Sequence, residues 1–120
     1  MAQTLPPALE DKLRKFENMR KNHERLQMMV QQLQSQLNET EATLDELEDQ
    51  PDDTVTYKSV GQVMFRVDKP ELVEELSDKQ ETLTMKLKST KKQRDTLQKK
   101  LQSEQEEIQL ELGKHNLQLQ

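Results

Sequence analysis

The chain has 120 residues, of which 31% are hydrophobic and only 2% aromatic, and its formal net charge is -5 at pH 7. This composition cannot supply a compact globular core, and the excess of carboxylates disfavours general affinity for nucleic acids. The sequence contains no cysteine, which excludes disulfides, thiolate nucleophiles and cysteine-ligated metals. It has neither the features of a secretory signal nor a segment of membrane-spanning length, so we expect a cytoplasmic protein.

A first long helix is predicted from about residue 8 to residue 49. Apolar residues recur there every seven positions in two series offset by three, which is the pattern of a coiled-coil seam. Pro51 cannot continue a helix, and the two aspartates after it favour a turn. At 1.5 Å per residue the helix would be roughly 60 Å long, so it needs a packing partner in water. The two series are Leu9, Phe16, His23, Val30, Leu37, Leu44 and Leu5, Lys12, Met19, Leu26, Leu33, Thr40, Leu47.

A β-hairpin is predicted next, over about residues 54–67, where the sequence reads TVTYKSVGQVMFRV. Gly61 and Gln62 can form a two-residue turn that places Val60 opposite Val63. A slip of one residue in this turn would exchange the two faces of the hairpin, but both faces would stay partly apolar. Because a lone two-stranded ribbon is marginal in water, we expect neighbouring chains to complete the sheet. In the first register the apolar residues of one face are Val60, Val63, Phe65 and Val67, and those of the other are Val55, Tyr57 and Met64.

A second long helix is predicted from about residue 69 to residue 118. Asp68 and Glu71 form its N-cap and capping-box partner, and Pro70 fits the first turn. The seam runs through Val73, Leu76, Gln80, Leu83, Leu87, Thr90, Arg94, Leu97 and Leu101, then shifts by a four-residue stutter to Ile108, Leu112, His115 and Leu119. Antiparallel pairing of the two helices is expected to place Lys12, Arg14 and Lys15 near Glu104, Glu106 and Glu107.

No catalytic, cofactor or metal site is predicted, because the chain lacks cysteine, tryptophan and any glycine-rich phosphate loop. Its two histidines, His23 and His115, fall on seam positions, where ordinary packing is the expected role. The strongest charge feature is a cationic stretch in the second helix. Without interleaved aromatic residues for stacking, it favours a solvated face or contact with an acidic protein surface over nucleic-acid binding. Its residues are Lys86, Lys88, Lys91, Lys92, Arg94, Lys99 and Lys100.

Apolar residues also accumulate where the two ends of the chain would meet. Leu110 and Leu117 lie off the seam, so this tip is expected to expose apolar surface of the kind that often marks a partner site. The alternative is that these residues only cap the helix pair or lie in fraying turns.

The arrangement of these segments resembles the β-type subunit of prefoldin. The resemblance rests on the Pro-Asp-Asp turn after a heptad helix, the hairpin TYKSVGQVMFRV, and the capped helix start DKPELVEEL before a second heptad helix. It covers nearly the whole chain, and YKSVG is its most specific part. The length and the hairpin sequence are most similar to those of archaeal β subunits.

This resemblance implies a single, mainly α-helical domain over residues 1–120, built as a long antiparallel two-helix coiled coil with one β-hairpin at the bend. It further implies an α2β4 hexamer, in which a prefoldin α subunit and further β subunits join their hairpins into a β-barrel platform. The implied oligomerisation residues are Val55, Tyr57, Val60, Val63, Phe65 and Val67.

The resemblance also implies an ATP-independent holdase chaperone that is not an enzyme and uses no cofactor. Such a subunit binds unfolded client proteins at its coiled-coil tip and delivers them to a group II chaperonin, with no nucleic acid or membrane as a partner. The implied client-binding residues are Leu5, Ala8, Leu9, Leu13, Leu110, Leu112, Leu117 and Leu119. A structural coiled-coil tether or adaptor, dimerised through the hairpin, is the alternative.

Overall fold

The computed structural model describes residues 5–119, with side chains described for residues 5–114. Its elements are α1 (Pro7–Glu48), β1 (Thr56–Val60), β2 (Val63–Val67) and α2 (Lys69–Leu119). The predicted fold class is confirmed, since two long helices flank one antiparallel hairpin. Close contacts divide the chain into two compact units, which we name the terminal unit (residues 1–29 and 90–120) and the hairpin unit (residues 30–89).

Two consecutive prolines set the start of α1. Pro7 is the first helical residue, where its missing N–H costs nothing and its fixed φ suits the helix. The carbonyl of Pro6 accepts hydrogen bonds from the amides of Leu9 (2.9 Å) and Glu10 (3.0 Å). The helix therefore begins one residue before the predicted position 8.

A short turn joins α1 to β1. The amide of Gln50 donates to the carbonyl of Leu47 (3.2 Å), and the amide of Thr54 donates to the carbonyl of Pro51 (3.0 Å). Pro51 has no N–H with which to extend the helix, so α1 ends at Glu48, one residue before the predicted position 49.

The hairpin has the first of the two registers considered. Val60 lies opposite Val63, and Lys58 lies opposite Phe65. Gly61 has a φ of 60°, and none of the described non-glycine residues has a positive φ. A positive φ at only the first of the two turn residues defines a type II′ turn, which favours glycine at that position and matches the twist of the strands.

Within the hairpin unit, the helices pack along the predicted seam. The amide of Gln80 donates to the carboxylate of Glu41 at 3.4 Å, which links α2 to α1 beside this core. The buried cluster consists of Val30, Leu37, Leu83 and Leu87, with Leu33 packed against it.

Within the terminal unit, α1 and α2 are also paired. The guanidinium of Arg94 donates to the side chain of Gln27 at 3.3 Å, and the ammonium of Lys12 donates to Glu111 at 2.6 Å. Because the earlier α1 residue contacts the later α2 residue, the two helices are antiparallel in this unit. Its buried apolar residues are Leu9, Leu26 and Ile108.

The charged residues of the terminal unit pair only partly as the sequence predicts. Lys12 lies 3.9 Å from Glu107, one of its predicted neighbours. Lys15 instead pairs with Asp11 at 3.1 Å, because a carboxylate one turn away on the same helix is within easy reach. In the described part of the chain, neither helix has a stretch apolar enough to cross a membrane.

Candidate interaction surfaces

The hairpin exposes its apolar side chains. Met64 is 66% exposed and Tyr57 is 55% exposed, whereas the buried seam residues are exposed by less than a tenth. So many half-exposed apolar groups on one short ribbon indicate a contact surface that a partner would cover. The other exposed apolar residues of the hairpin, each about half exposed, are Val55, Val60, Val63 and Phe65.

One face of the hairpin is covered near the helices and open near the turn. At its base, Thr56 is buried and its hydroxyl donates to the carbonyl of Val67 at 2.5 Å. Lys58, next along the same face, donates from its ammonium to the carboxylate of Glu75 on α2. This ion pair ties the face to the helix. Phe65, directly opposite Lys58, is open, and so are Val60 and Val63 nearer the turn.

The opposite face is open over its whole length. Tyr57 and Met64 are its large apolar residues, and their cross-strand partners are Arg66 and Ser59. All four side chains are exposed. Both faces of the hairpin can therefore meet other protein surfaces.

The hairpin also has two free strand edges. Among the residues that the structure describes, β1 pairs only with β2. The outer N–H and C=O groups of both strands are thus available for backbone hydrogen bonds to a further strand. Free edges combined with exposed valine and aromatic side chains are typical of a hairpin that extends its sheet by binding another chain.

Lys69, the first residue of α2, anchors the base of the hairpin. This role was not predicted from the sequence. Its side chain is 6% exposed, and its ammonium donates to the carbonyl of Gln50 and lies 3.7 Å from the carboxylate of Asp52. A cation in the first turn of a helix is unfavourable next to the helix dipole. A lysine at this position is therefore a sequence signal that its ammonium group binds another element, which here is the turn after α1.

The predicted client-binding residues do not share one environment. Leu110 is 67% exposed, whereas Leu9 is 3% exposed and packs inside the terminal unit. Ala8 is exposed, and Leu5, Leu13 and Leu112 are half-buried. The side chains of Leu117 and Leu119 lie outside those that the structure describes. Leu110 is therefore the clearest open apolar position in the described part of this set.

Ion pairs lie along the surface of the terminal unit. The hydrogen bond to Glu111 raises the pKa of Lys12, against the opposing effect of desolvation. Arg20 binds Glu17 at 2.6 Å and Glu24 at 2.8 Å. The hydrogen bond from Arg20 lowers the pKa of Glu17. Both shifts stabilise the charged forms, so the two pairs stay ionised at neutral pH.

Histidine and acidic side chains, which can bind metal ions, occur along the described helices. No group of three histidine or acidic residues among them converges on a point where a metal ion would sit. The features that stand out are the apolar hairpin, the exposed leucine and the charged flanks of the helices.

Comparison with known proteins gives one consistent family. The sequence model of the family "Prefoldin subunit" matches residues 10–115. Prefoldin subunit beta of Methanosarcina acetivorans is 32% identical over 113 residues, which cover 94% of this chain and 97% of that protein. Prefoldin subunit beta of Thermococcus gammatolerans is 36% identical over 110 residues, covering 92% and 94%.

A solved structure agrees with this assignment. The crystal structure of the prefoldin beta subunit from Thermococcus strain KS-1 superposes with a TM-score of 0.80 at 33% identity, and covers 92% of this chain and 97% of that one. The family model spans both helices and the exposed hairpin between them. The chain therefore belongs to the prefoldin subunit family.

Proposed function

We propose that the chain is the β-type subunit of an ATP-independent holdase chaperone, which binds non-native proteins and prevents their aggregation. The observation that carries this proposal is the similarity to prefoldin β subunits along nearly the whole chain. The chain acts by binding and not by catalysis, and it works in the cytoplasm.

The hairpin is the assembly element of this proposal. Prefoldin subunits join with one another, and here the open valine and aromatic side chains and the two free strand edges supply the contacts. The proposed complex contains two α and four β subunits, with the hairpins closed into a β-barrel. Closure of a sheet into a barrel removes its free edges, which accounts for their exposure in one chain.

The proposed client site is the apolar end of the terminal unit. One exposed leucine offers little area, but several subunits around one client raise the effective concentration and hence the avidity. Leu110 is the described residue best placed for this contact, since it is 67% exposed. Clients held in this way are proposed to pass to a group II chaperonin, which competes for the same apolar segments without nucleotide use by the holdase.

The test is suppression of aggregation of a chemically unfolded protein, followed by light scattering. The chain is assayed alone, with an archaeal α-type partner, and as Leu110→Ser with that partner. Met85→Ser is the matched control, because Met85 is 66% exposed but belongs to the hairpin unit. We expect suppression that needs the partner, weakens about twofold or more in Leu110→Ser, and is unchanged in the control.

Two results would contradict the proposal in different ways. Equal loss of suppression in both variants would show that the client site does not lie at the end of the terminal unit. A well-formed hexamer without any suppression would leave only the shared architecture, and would favour the coiled-coil tether or adaptor.

A further inference from the structure

Four lysines of α2 in the terminal unit have no ion-pair partner. Lys92, Lys99 and Lys100 are exposed and Lys91 is half-buried. Among the residues that the structure describes, no carboxylate oxygen lies within 4.0 Å of their ammonium groups. These four residues, here named the lysine face, concentrate positive charge on a short part of one helix.

Helix geometry centres the lysine face on Lys92 and Lys99. Lys92 and Lys99 are seven residues apart, which is about two turns, so they lie in line and about 10.5 Å apart along the helix axis. Lys91 and Lys100 lie about 90° to either side of this line. The result is a cationic strip about two and a half turns long that covers about half of the helix circumference.

The acidic groups closest in sequence form no ion pair with these lysines. The guanidinium of Arg94 binds the carboxylate of Asp95 at 3.0 Å. Glu104, one turn after Lys100, forms no ion pair with it among the described side chains. The four positive charges of the lysine face therefore exceed the two negative charges on this part of α2, one of which Arg94 offsets.

The paired helix does not neutralise this charge either. The contact between Arg94 and Gln27 brings the segment of α1 around residues 20–27 alongside this part of α2. Its carboxylate Glu24 is bound by Arg20 at 2.8 Å. Two further cations, Lys21 and Arg25, belong to the same segment, so the local potential is raised rather than lowered.

We infer that the lysine face binds a short acidic peptide segment in an extended conformation. An extended chain advances about 3.3 Å per residue and alternates its side chains, so carboxylates two or four residues apart share one face at about 7 or 13 Å. Flexible glutamate and lysine side chains can adjust these spacings to the distance of about 10.5 Å between Lys92 and Lys99. Lysine ammonium groups are flexible point charges that suit such carboxylates.

A nucleic acid fits the same surface less well. The aromatic residue of the terminal unit, Phe16, is half-buried, so no exposed phenyl or phenol ring in the described part of this unit offers a stacking platform beside the lysine face. A longer polyanion that followed α2 toward the C-terminus would meet Glu106 and Glu107, both exposed. A short acidic segment avoids this repulsion because it ends within the strip.

The experiment is fluorescence anisotropy of a labelled octaglutamate peptide titrated with the full-length chain, at low and at physiological salt. Lys92→Gln/Lys99→Gln removes the central line of the lysine face. Lys79→Gln/Lys114→Gln is the matched control, because it makes the same change in net charge at two exposed lysines elsewhere. Glutamine keeps good helix propensity, and circular dichroism verifies the helix content of both variants.

We expect binding at low salt that weakens steeply as salt is added, because exposed charges are screened. The dissociation constant should rise about fivefold in Lys92→Gln/Lys99→Gln and by less than about twofold in the control. The inference is overturned if the peptide does not bind at low salt or if both variants lose affinity equally. Tighter binding of a single-stranded oligonucleotide with the same number of charges would overturn it in favour of a nucleic-acid partner. The assay contains no aggregating protein, so its outcome is independent of the holdase test.

Discussion

Burial separates leucines that look equivalent in the sequence. Leu9 and Leu110 belong to one predicted client-binding set, yet their exposed fractions are 3% and 67%. Full burial of a leucine side chain contributes roughly 1.5–3 kcal/mol to folding, whereas an exposed leucine contributes little. A polar residue at Leu9 would therefore destabilise the terminal unit, while the same change at Leu110 leaves folding intact and tests binding.

The same contrast gives a stability prediction in the hairpin unit. Leu87 is 6% exposed within the buried cluster, and Met85, two residues earlier, is 66% exposed. We expect Leu87→Ala to lower the free energy of unfolding by about 2–4 kcal/mol, because it removes buried methyl groups and leaves a cavity. Met85→Ala should change it by less than about 0.5 kcal/mol. Urea unfolding followed by circular dichroism, at one chain concentration, measures both.

Equal destabilisation by the two variants would show that Leu87 does not pack in the core that its burial indicates. A change in the slope of the transition would instead signal loss of two-state unfolding, so the slopes are compared first.

At the scale of elements, two lysines hold the hairpin to the helices. The ammonium of Lys69 donates to the carbonyl of Gln50 just after α1, and that of Lys58 donates to Glu75 on α2. The first contact orders the turn before β1, and the second ties one hairpin face to α2. Both act within the hairpin unit and orient the strands whose outer edges remain free.

The pair Lys58–Glu75 can be tested by exchanging its charges. Lys58→Glu or Glu75→Lys alone places like charges together, so the hairpin amides should exchange with solvent faster. The double variant restores an opposite pair and should recover most of the protection. Because both side chains are about half exposed, the coupling energy should be about 0.2–1 kcal/mol. Hydrogen exchange of the hairpin amides provides the measurement.

Lys88→Glu is the control for this cycle, because it makes the same change of charge at an exposed lysine of the hairpin unit that lies several helical turns from Glu75. If the double variant exchanges as fast as the singles, the ion pair does not position the hairpin.

At the scale of the whole molecule, the hairpin is the most apolar exposed element in the described part of the chain. Val60 and Val63 face each other at the turn and are each about half exposed. Family membership and the free strand edges agree with assembly through this element. Stability measured on a single chain is therefore expected to depend on the partner subunits and their concentration.

Assembly should fail when charge is placed at this turn. In Val60→Asp/Val63→Asp, assembly would move two carboxylates from water into the proposed barrel. The free-energy cost of burying these charges without partners opposes assembly. With an archaeal α-type partner, size-exclusion chromatography with light scattering should show a six-chain complex for the unmodified chain and only smaller species for the variant.

Ser77→Asp/Thr82→Asp is the matched control, because it adds the same charges at exposed positions of α2. Helix content of both variants should match that of the unmodified chain. A six-chain complex formed by Val60→Asp/Val63→Asp would refute assembly through the hairpin.

The sequence by itself determined the elements of this protein and limited its hairpin to two registers, of which the structure has the first. The heptad spacing, Pro7 and Pro51 at the helix limits, and Gly61 at the turn all act through neighbours in the chain, and such local effects can be read from residue order. The predicted limits of α1 and the start of α2 accordingly lie within one residue of the observed ones.

Only the tertiary structure decided which side chains are buried and which residues far apart in the sequence contact each other. It buries Leu9 and exposes Leu110, joins Lys58 to Glu75, and turns Lys69 toward the end of α1. Among the described residues it also leaves the lysine face without an ion-pair partner. Each outcome depends on which side chains two paired helices bring together across long stretches of chain. Periodicity limits which face of a helix is buried, but the contact partner of a single side chain is set by packing in three dimensions.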